Sequence, residues 1–304
     1  MMEFPKIYIK RVPGSLDGER TVYIAQTNVD GSYKCFSNVN ASNQEIDHFY
    51  MAAYDVSVIT QGSTQRTRSL SGVTLNSTNA PLTDVSTEVS TATANGSNWY
   101  TGVWADWCLV YDLLCLMGKS LDLQGTYGQG ITSGSKTAKE SYATGSLNDK
   151  GLFYGDTSGQ NTAVKVLGIE NFWGLRYKRI AGLLTTTSSI MVKMTRGTYD
   201  GSTASDYNTT GTGYLNFGTP ANAGGYVSKM TADNVMGYKG TAFSGSSSTY
   251  YCDYGYWGKP SSGTYYACVG GYSGNGAVCG FCVYLNRSAS DSDWYIGGSL
   301  SCKP

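Results

Sequence analysis

Val103-Trp104-Ala105-Asp106-Trp107-Cys108-Leu109-Val110-Tyr111-Asp112-Leu113-Leu114-Cys115-Leu116-Met117 carries the clearest helical period in this chain. Val103, Trp107, Val110, Leu114 and Met117 recur at alternating spacings of four and three, which puts an apolar stripe on one face and predicts a core helix. Gly118 supplies a stop signal. The apolar run from Cys108 to Met117 is broken by Asp112 and is too short to cross a bilayer, so no membrane insertion is expected.

On both sides of this helix the pattern is strand. Ile7-Tyr8-Ile9 and Val22-Tyr23-Ile24 read as a hairpin joined through the turn cluster Pro13-Gly14-Ser15-Leu16-Asp17-Gly18. Strand signals follow at residues 33–36 and 48–54. Residues 61–97 shift to Ser, Thr, Asn and Gly and read as surface loop, as do residues 125–149. Residues 151–154 and 163–167 are further strand candidates, and beyond Leu184 the chain reads as strand, turn, strand with no helix. One helix among many strands, long loops and no internal period predict an α+β fold. No linker separates two cores, so residues 41–304 are expected as one domain, with residues 1–40 as an amino-terminal β extension packed on it.

Composition narrows the function. Charged residues are 14% of the chain, with 22 basic and 22 acidic, while Gly (39) and Tyr (25) are abundant. A neutral, charge-poor chain has no footprint for phosphate contacts, so nucleic acid is excluded as a partner. The first residues lack the basic and apolar regions of a secretory signal. Eight cysteines over 304 residues suggest mostly free thiols rather than a disulfide framework. Cys279 and Cys282 form a C-x-x-C inside residues 277–285, which read as a strand. Alternation would then send the two thiols to opposite faces and exclude a shared metal.

Catalytic signals are absent. His48 is the single histidine, so any triad, dyad or multi-histidine metal site must use it, and its surroundings suit a strand-edge role better. No Gly-rich phosphate loop, G-x-S-x-G or H-E-x-x-H occurs. No enzymatic activity, cofactor or metal is expected.

Residues 250–304 stand apart: they hold nine of the 25 tyrosines and five of the eight cysteines, but only six charged residues. Tyr with Ser, Gly and Asn is the composition of antibody paratopes, where a stiff amphipathic ring gives contact area at low entropy cost. The same composition also suits an irregular Tyr-Gly-rich β core.

Motifs in this region carry a resemblance. Val269-Gly270-Gly271-Tyr272-Ser273, Asn275-Gly276-Ala277, Cys279-Gly280 and Asp293-Trp294-Tyr295-Ile296-Gly297 resemble the variable proteins of diversity-generating retroelements. Upstream, Glu3-Phe4-Pro5-Lys6-Ile7-Tyr8, Leu116-Met117-Gly118-Lys119-Ser120-Leu121-Asp122 and Glu170-Asn171-Phe172-Trp173-Gly174 are similar to phage and prophage members. The resemblance implies a C-type-lectin-like fold of the formylglycine-generating-enzyme subtype. It implies a hypervariable ligand- or receptor-binding protein, displayed on a phage tail or cell surface, with a variable region at about residues 250–300. The partner would be a protein or cell-surface receptor, and a homo-oligomer would form through the amino-terminal part.

In such systems mutagenesis at adenines diversifies Asn-type codons, which cannot yield Trp, Met, Lys, Gln or Glu. That rule assigns Trp257, Lys259 and Trp294 to the scaffold, with Trp173 beside them. It makes Asp253, Gly255, Tyr256, Cys268, Tyr272, Ser273, Asn275, Val278, Cys279, Cys282, Tyr284, Asp291 and Tyr295 the candidate variable, ligand-binding positions. Tyr256, Tyr272, Ser273, Asn275, Cys279, Tyr284 and Tyr295 are expected on one exposed or half-exposed face, and Trp173 and Trp294 largely buried. The E-P-N, Q-P-D and W-N-D strings of calcium-dependent lectins are absent, and the cysteines do not match the copper-holding pair of the related oxidase by local motif. An oxidase of that kind and a plain structural virion protein are the alternatives.

Overall fold

The predicted helix is present as Trp104–Gly118 in the computed structural model, which describes residues 1–15, 19–81, 83–195 and 213–304. Val103 is its N-cap, and every residue from Trp104 to Asp112, with Leu114, is buried. An apolar stripe alone would leave one side wet, but this helix is enclosed nearly all round, the condition of a central strut. The stripe ends early, because Met117 is 55% exposed. The stop is Lys119, left-handed at φ 51° with its N–H on the Cys115 carbonyl. Gly118 instead makes room for the neighbouring turn, since a methyl there would sit 2.8 Å from Thr126 Cγ2.

Two carboxylates buried in this helix decide how the chain ends are placed. Asp112 Oδ2 accepts from Arg11 Nη2 at 2.6 Å and from Arg11 Nε at 2.9 Å. Asp106 Oδ1 accepts from Lys303 Nζ at 2.9 Å. A buried charge is tolerated only when paired, so the second strand of the chain and its penultimate residue are both fixed to one helix.

A four-stranded sheet joins the same ends, in the order Met2–Pro5, His48–Met51, Ser301–Cys302, Trp99–Tyr100. Phe4 and Ile9 enter the main core with Phe49 and Tyr100, so the first two strands pack into the same core as the rest. The hairpin Tyr8–Pro13 with Arg20–Ala25 forms in the expected place. Leu16, Asp17 and Gly18 of its turn cluster lie outside the described residues.

The other side of the helix meets an eight-stranded mixed sheet. Its order is Leu215–Asn216, Ile190–Val192, Tyr177–Thr185, Tyr265–Val269, Val283–Arg287, Tyr254–Trp257, Ala223–Tyr226, with Ile296–Gly297 alongside Tyr177–Thr185. Trp107 stacks on Phe172 at 4.1 Å and Tyr111 on Phe281 at 3.9 Å, in the segments that lead into Tyr177–Thr185 and Val283–Arg287 of this sheet. The fold is mixed α+β, mostly strand, with four α-helices among the described residues.

Three expectations are corrected. Residues 61–97 contain most of the hairpin Ser57–Gln61 with Thr64–Arg68 and the helix Val85–Thr93. Asp84 caps that helix, accepting from the Thr87 N–H at 2.8 Å. Residues 125–149 contain the end of the helix Leu123–Tyr127 and all of Lys136–Ser141. Polar composition concealed these elements because their buried residues are few and small, such as Val85, Val89 and Ala92. Residues 277–285 are not one strand: a 3₁₀ turn covers Gly276–Val278 and the strand starts at Val283. Gly280, at φ +79°, breaks the extended run.

Among the described residues no helix is long and apolar enough to cross a membrane.

Candidate ligand-binding site

Strand alternation builds the site. In Tyr254–Trp257, Gly255 and Trp257 point into the core while Tyr254 and Tyr256 are half-buried on the opposite face. In Val283–Arg287, Val283 and Leu285 point inward and Tyr284 outward. The two strands pair in parallel with Tyr256 beside Tyr284, so their rings meet at 5.3 Å and 30°. On the other flank Gly224 faces Tyr256 and Tyr226 faces Tyr254. A methyl on Gly224 would lie 2.5 Å from Tyr256 Cδ2, so the glycine is what lets this ring lie down across its neighbour strand. Tyr226 and Tyr254 meet edge-on at 5.8 Å.

The ring series continues away from Tyr284. Cys268 lies opposite Tyr284 on the next strand and is buried, filling the floor. Beyond it Tyr177, 5% exposed, touches Tyr284 at 5.7 Å, Tyr272 at 5.4 Å and Tyr295 at 6.4 Å. Tyr272 meets Tyr295 at 4.7 Å, and Trp294 stands edge-on to both. Tyr177, Tyr272, Tyr284 and Tyr295, with Cys268, Cys282 and Ile296, form an apolar cluster separate from the main core. Offset and edge-to-face pairs at such spacings add about 0.5–1.5 kcal/mol each beyond area burial, so the belt holds its own shape.

Arg287 closes one end. Its guanidinium lies 5.3 Å over the Tyr295 ring and donates to the Tyr295 hydroxyl at 2.5 Å. Burial, with a hydrogen bond to Asp293, pushes that hydroxyl up to about 12. Burial likewise raises Tyr284. The rims of these rings therefore stay neutral hydroxyls that both donate and accept.

The thirteen candidate positions divide. Tyr256, Tyr272, Asn275, Val278, Tyr284, Asp291 and Tyr295 are half-buried, and the four tyrosines among them come together in the belt. Asn275 Oδ1 accepts from the Tyr272 N–H at 2.9 Å and shapes the turn beneath that ring. Asp253, Gly255, Cys268, Ser273, Cys279 and Cys282 are buried, which corrects the expectation of an exposed or half-exposed face for Ser273 and Cys279. Packing leaves them no freedom. Cys279 Sγ would lie 2.2 Å from a methyl on Gly271. Asp253 Oδ1 accepts from the Phe281 N–H at 2.9 Å, and burial drives its carboxyl well above the usual range. A side chain in such contact does not exchange for any other.

Among the tryptophans, Trp173 is fully buried and donates from Nε1 to the Gly128 carbonyl at 3.0 Å, and Trp257 is 2% exposed. Trp294 is half-buried at the margin of the belt, a correction that follows from its place on a loop above the sheet.

Tyr177, Tyr226, Tyr254 and Arg287 were missed. Tyr254 stands two residues before Tyr256, so period-two alternation alone places it on the same face. Tyr177 and Tyr226 lie outside residues 250–304, and only the register brings them in.

The thiols Cys35 and Cys268 are pushed up to about 11 by burial, and Cys279 and Cys282 are also raised by it. They are protonated at neutral pH and poorly nucleophilic. None of the eight cysteines is in a disulfide bond. His48 is half-buried in His48–Met51, with its ring edge-on to Tyr50. Among the described residues no group of three or more His, Cys, Asp or Glu is placed to hold a metal ion.

No family model and no curated protein matches the chain.

Proposed function

We propose that this chain is a hypervariable binding protein that presents the tyrosine belt to a protein or cell-surface receptor, in the manner of the variable proteins of diversity-generating retroelements. On this reading the α+β architecture is a C-type-lectin-like fold of the formylglycine-generating-enzyme subtype, and the setting is a phage or prophage tail that recognises its host. The observation that carries the reading is the belt itself, with half-buried tyrosines from three strands and two loops laid side by side on one sheet face. Such rings give large contact area with little entropy to lose, and their hydroxyl rims adapt to different partners. The ordered motifs from Val269 to Gly297 add support.

The genetic locus tests it. A reverse transcriptase gene and a near-copy of the 3′ coding segment are expected beside this gene, differing from it at adenines of the Tyr254, Tyr256, Tyr272, Tyr284 and Tyr295 codons. A locus with neither, or a copy differing mainly at buried positions such as Cys279, contradicts the proposal.

A further inference from the structure

A narrow recess of about 60 Å³ lies between the large sheet, the start of the helix Trp104–Gly118 and the end of the strand His48–Met51. Strand alternation turns it away from the belt: Tyr177 belongs to the belt, whereas Lys178 and Ile180 on the same strand line the recess. Its walls are mostly apolar, supplied by Val56, Val103, Ile169, Phe172, Ile180 and Leu300.

Most polar side chains at the recess are already engaged. Glu170 Oε1 accepts from the Tyr142 hydroxyl at 2.6 Å and from the Gly145 N–H at 2.8 Å, and its Oε2 accepts from the Leu147 N–H at 2.9 Å. Ser299 Oγ donates to the Arg179 carbonyl at 2.7 Å and accepts from the Gly102 N–H at 2.8 Å. Asp106 is paired with Lys303, and the Tyr54 hydroxyl donates to Asn148 Oδ1. Lys178 spends its ammonium protons on the carbonyls of Asn171, Gly174 and Arg176.

Two buried atoms are left over. Asp55, with its side chain 1% exposed, has Lys178 Nζ at 3.6 Å and Arg176 Nε at 3.9 Å from its Oδ1, but its Oδ2 accepts no hydrogen bond among the described residues. Trp107 is 3% exposed, and its Nε1–H donates none. One acceptor and one donor thus go unmet on the lining of a single recess, each at a desolvation cost.

Water fits this lining poorly. The recess has room for about four waters, each of which needs two to four polar partners, and two unmet atoms in an apolar wall do not supply them. An ion fits no better, because the carboxylates Asp55, Glu170 and Asp106 are matched in number by Lys178, Arg176 and Lys303, and an added charge would be uncompensated. The lining calls for a neutral molecule that carries a donor and an acceptor on separate atoms beside an apolar stub.

We propose that this recess is a binding site for a small neutral carboxamide of about four non-hydrogen atoms, whose N–H donates to Asp55 Oδ2 and whose carbonyl accepts from Trp107 Nε1. The site is separate from the belt and does not depend on the belt's reading as a binding face.

The test titrates the full chain, carrying labelled methyl groups, with probes of one size: acetamide, acetone, 2-propanol, acetate and acetamidinium. Acetamide is expected to shift the Val103 and Ile180 methyl resonances saturably and to bind at least tenfold more tightly than any of the other four. Ala52→Leu, which adds bulk at a half-buried wall of the recess, is expected to abolish that response while the resonances of the belt stay in place. Binding of acetone or 2-propanol as tight as that of acetamide would overturn the carboxamide assignment, as would a preference for either ion. No saturable shift with acetamide, or an unchanged one in Ala52→Leu, would overturn the site itself. The wild-type series decides even where the variant does not fold.

Discussion

The two faces of the large sheet are made by the same strands and differ in almost everything else. On the inner face Trp257, Val283, Leu285 and Val269 are each 3% exposed or less and lie against the central helix in one continuous core. On the outer face Tyr256 and Tyr284 alternate with them along the same two strands, yet remain half-buried and pack mainly on each other and on Tyr177. One residue of chain separates a position that must fit from a position that only needs support. On the proposed reading, one strand holds both fold and recognition, with its inner residues carrying the stability.

The largest expected effects lie on the scaffold side. Trp257→Ala should cost about 3–5 kcal/mol, the usual range for emptying a large buried aromatic site. Arg11→Met should cost a comparable amount, about 3–5 kcal/mol, because it strands Asp112 as a buried charge whose other partner is the Tyr238 hydroxyl. Urea denaturation measures both. A loss below about 1 kcal/mol at either would mean that the inner face and its helix do not carry the fold.

Glu88, buried in the helix Val85–Thr93, sharpens the comparison from the scaffold side. Burial pushes its carboxyl up to about 7, against an ordinary 4.5, despite opposition from Arg179, Thr83 and Arg176; Asp84 adds to the rise. Between these values the folded protein keeps a proton that the unfolded chain has lost, so stability falls as pH rises from about 4.5 to about 7 and this contribution is constant above. Glu88→Gln removes the titration, and its urea midpoint is expected to vary less between pH 5 and pH 7 than that of the wild type. A steeper dependence in the variant would reverse the sign assigned to this carboxyl.

Outer-face substitutions come next and are smaller. Tyr256→Ala should change stability by about 1 kcal/mol, and Ser292→Ala by within about 0.5 kcal/mol, as for surface positions. Calorimetric melting of the two variants beside Trp257→Ala sets the three values in order, and any other ranking breaks the contrast between the faces.

Much of this was legible in the sequence where one period dominates. The spacing of Trp107, Val110 and Leu114 gave the helix, and the tyrosine density after residue 250 pointed to the strands that carry the belt. Positions where packing overrides composition were not legible. Cys268 and Cys282 look like candidates for exchange until the register puts them under Tyr177 and Tyr284. Cys279 lies tight against Gly271, and the Ser273 N–H is drawn inward to the Leu175 carbonyl at 3.2 Å. Tyr177, nearly a hundred residues upstream, joins the belt only because Tyr177–Thr185 pairs with Tyr265–Val269 and with Ile296–Gly297. The helix Val85–Thr93 escaped notice because Ser and Thr fill its wet side.

The most direct measurement is a substitution scan for folding, with every amino acid placed in turn at Trp257, Val283 and Leu285 and at Tyr254, Tyr256 and Tyr284 of the full chain. The account predicts that the outer three accept most residues, charged ones included, while the inner three accept only large apolar ones. Equal intolerance at both sets would show the tyrosine belt to be a second core and would contradict its assignment as a binding surface.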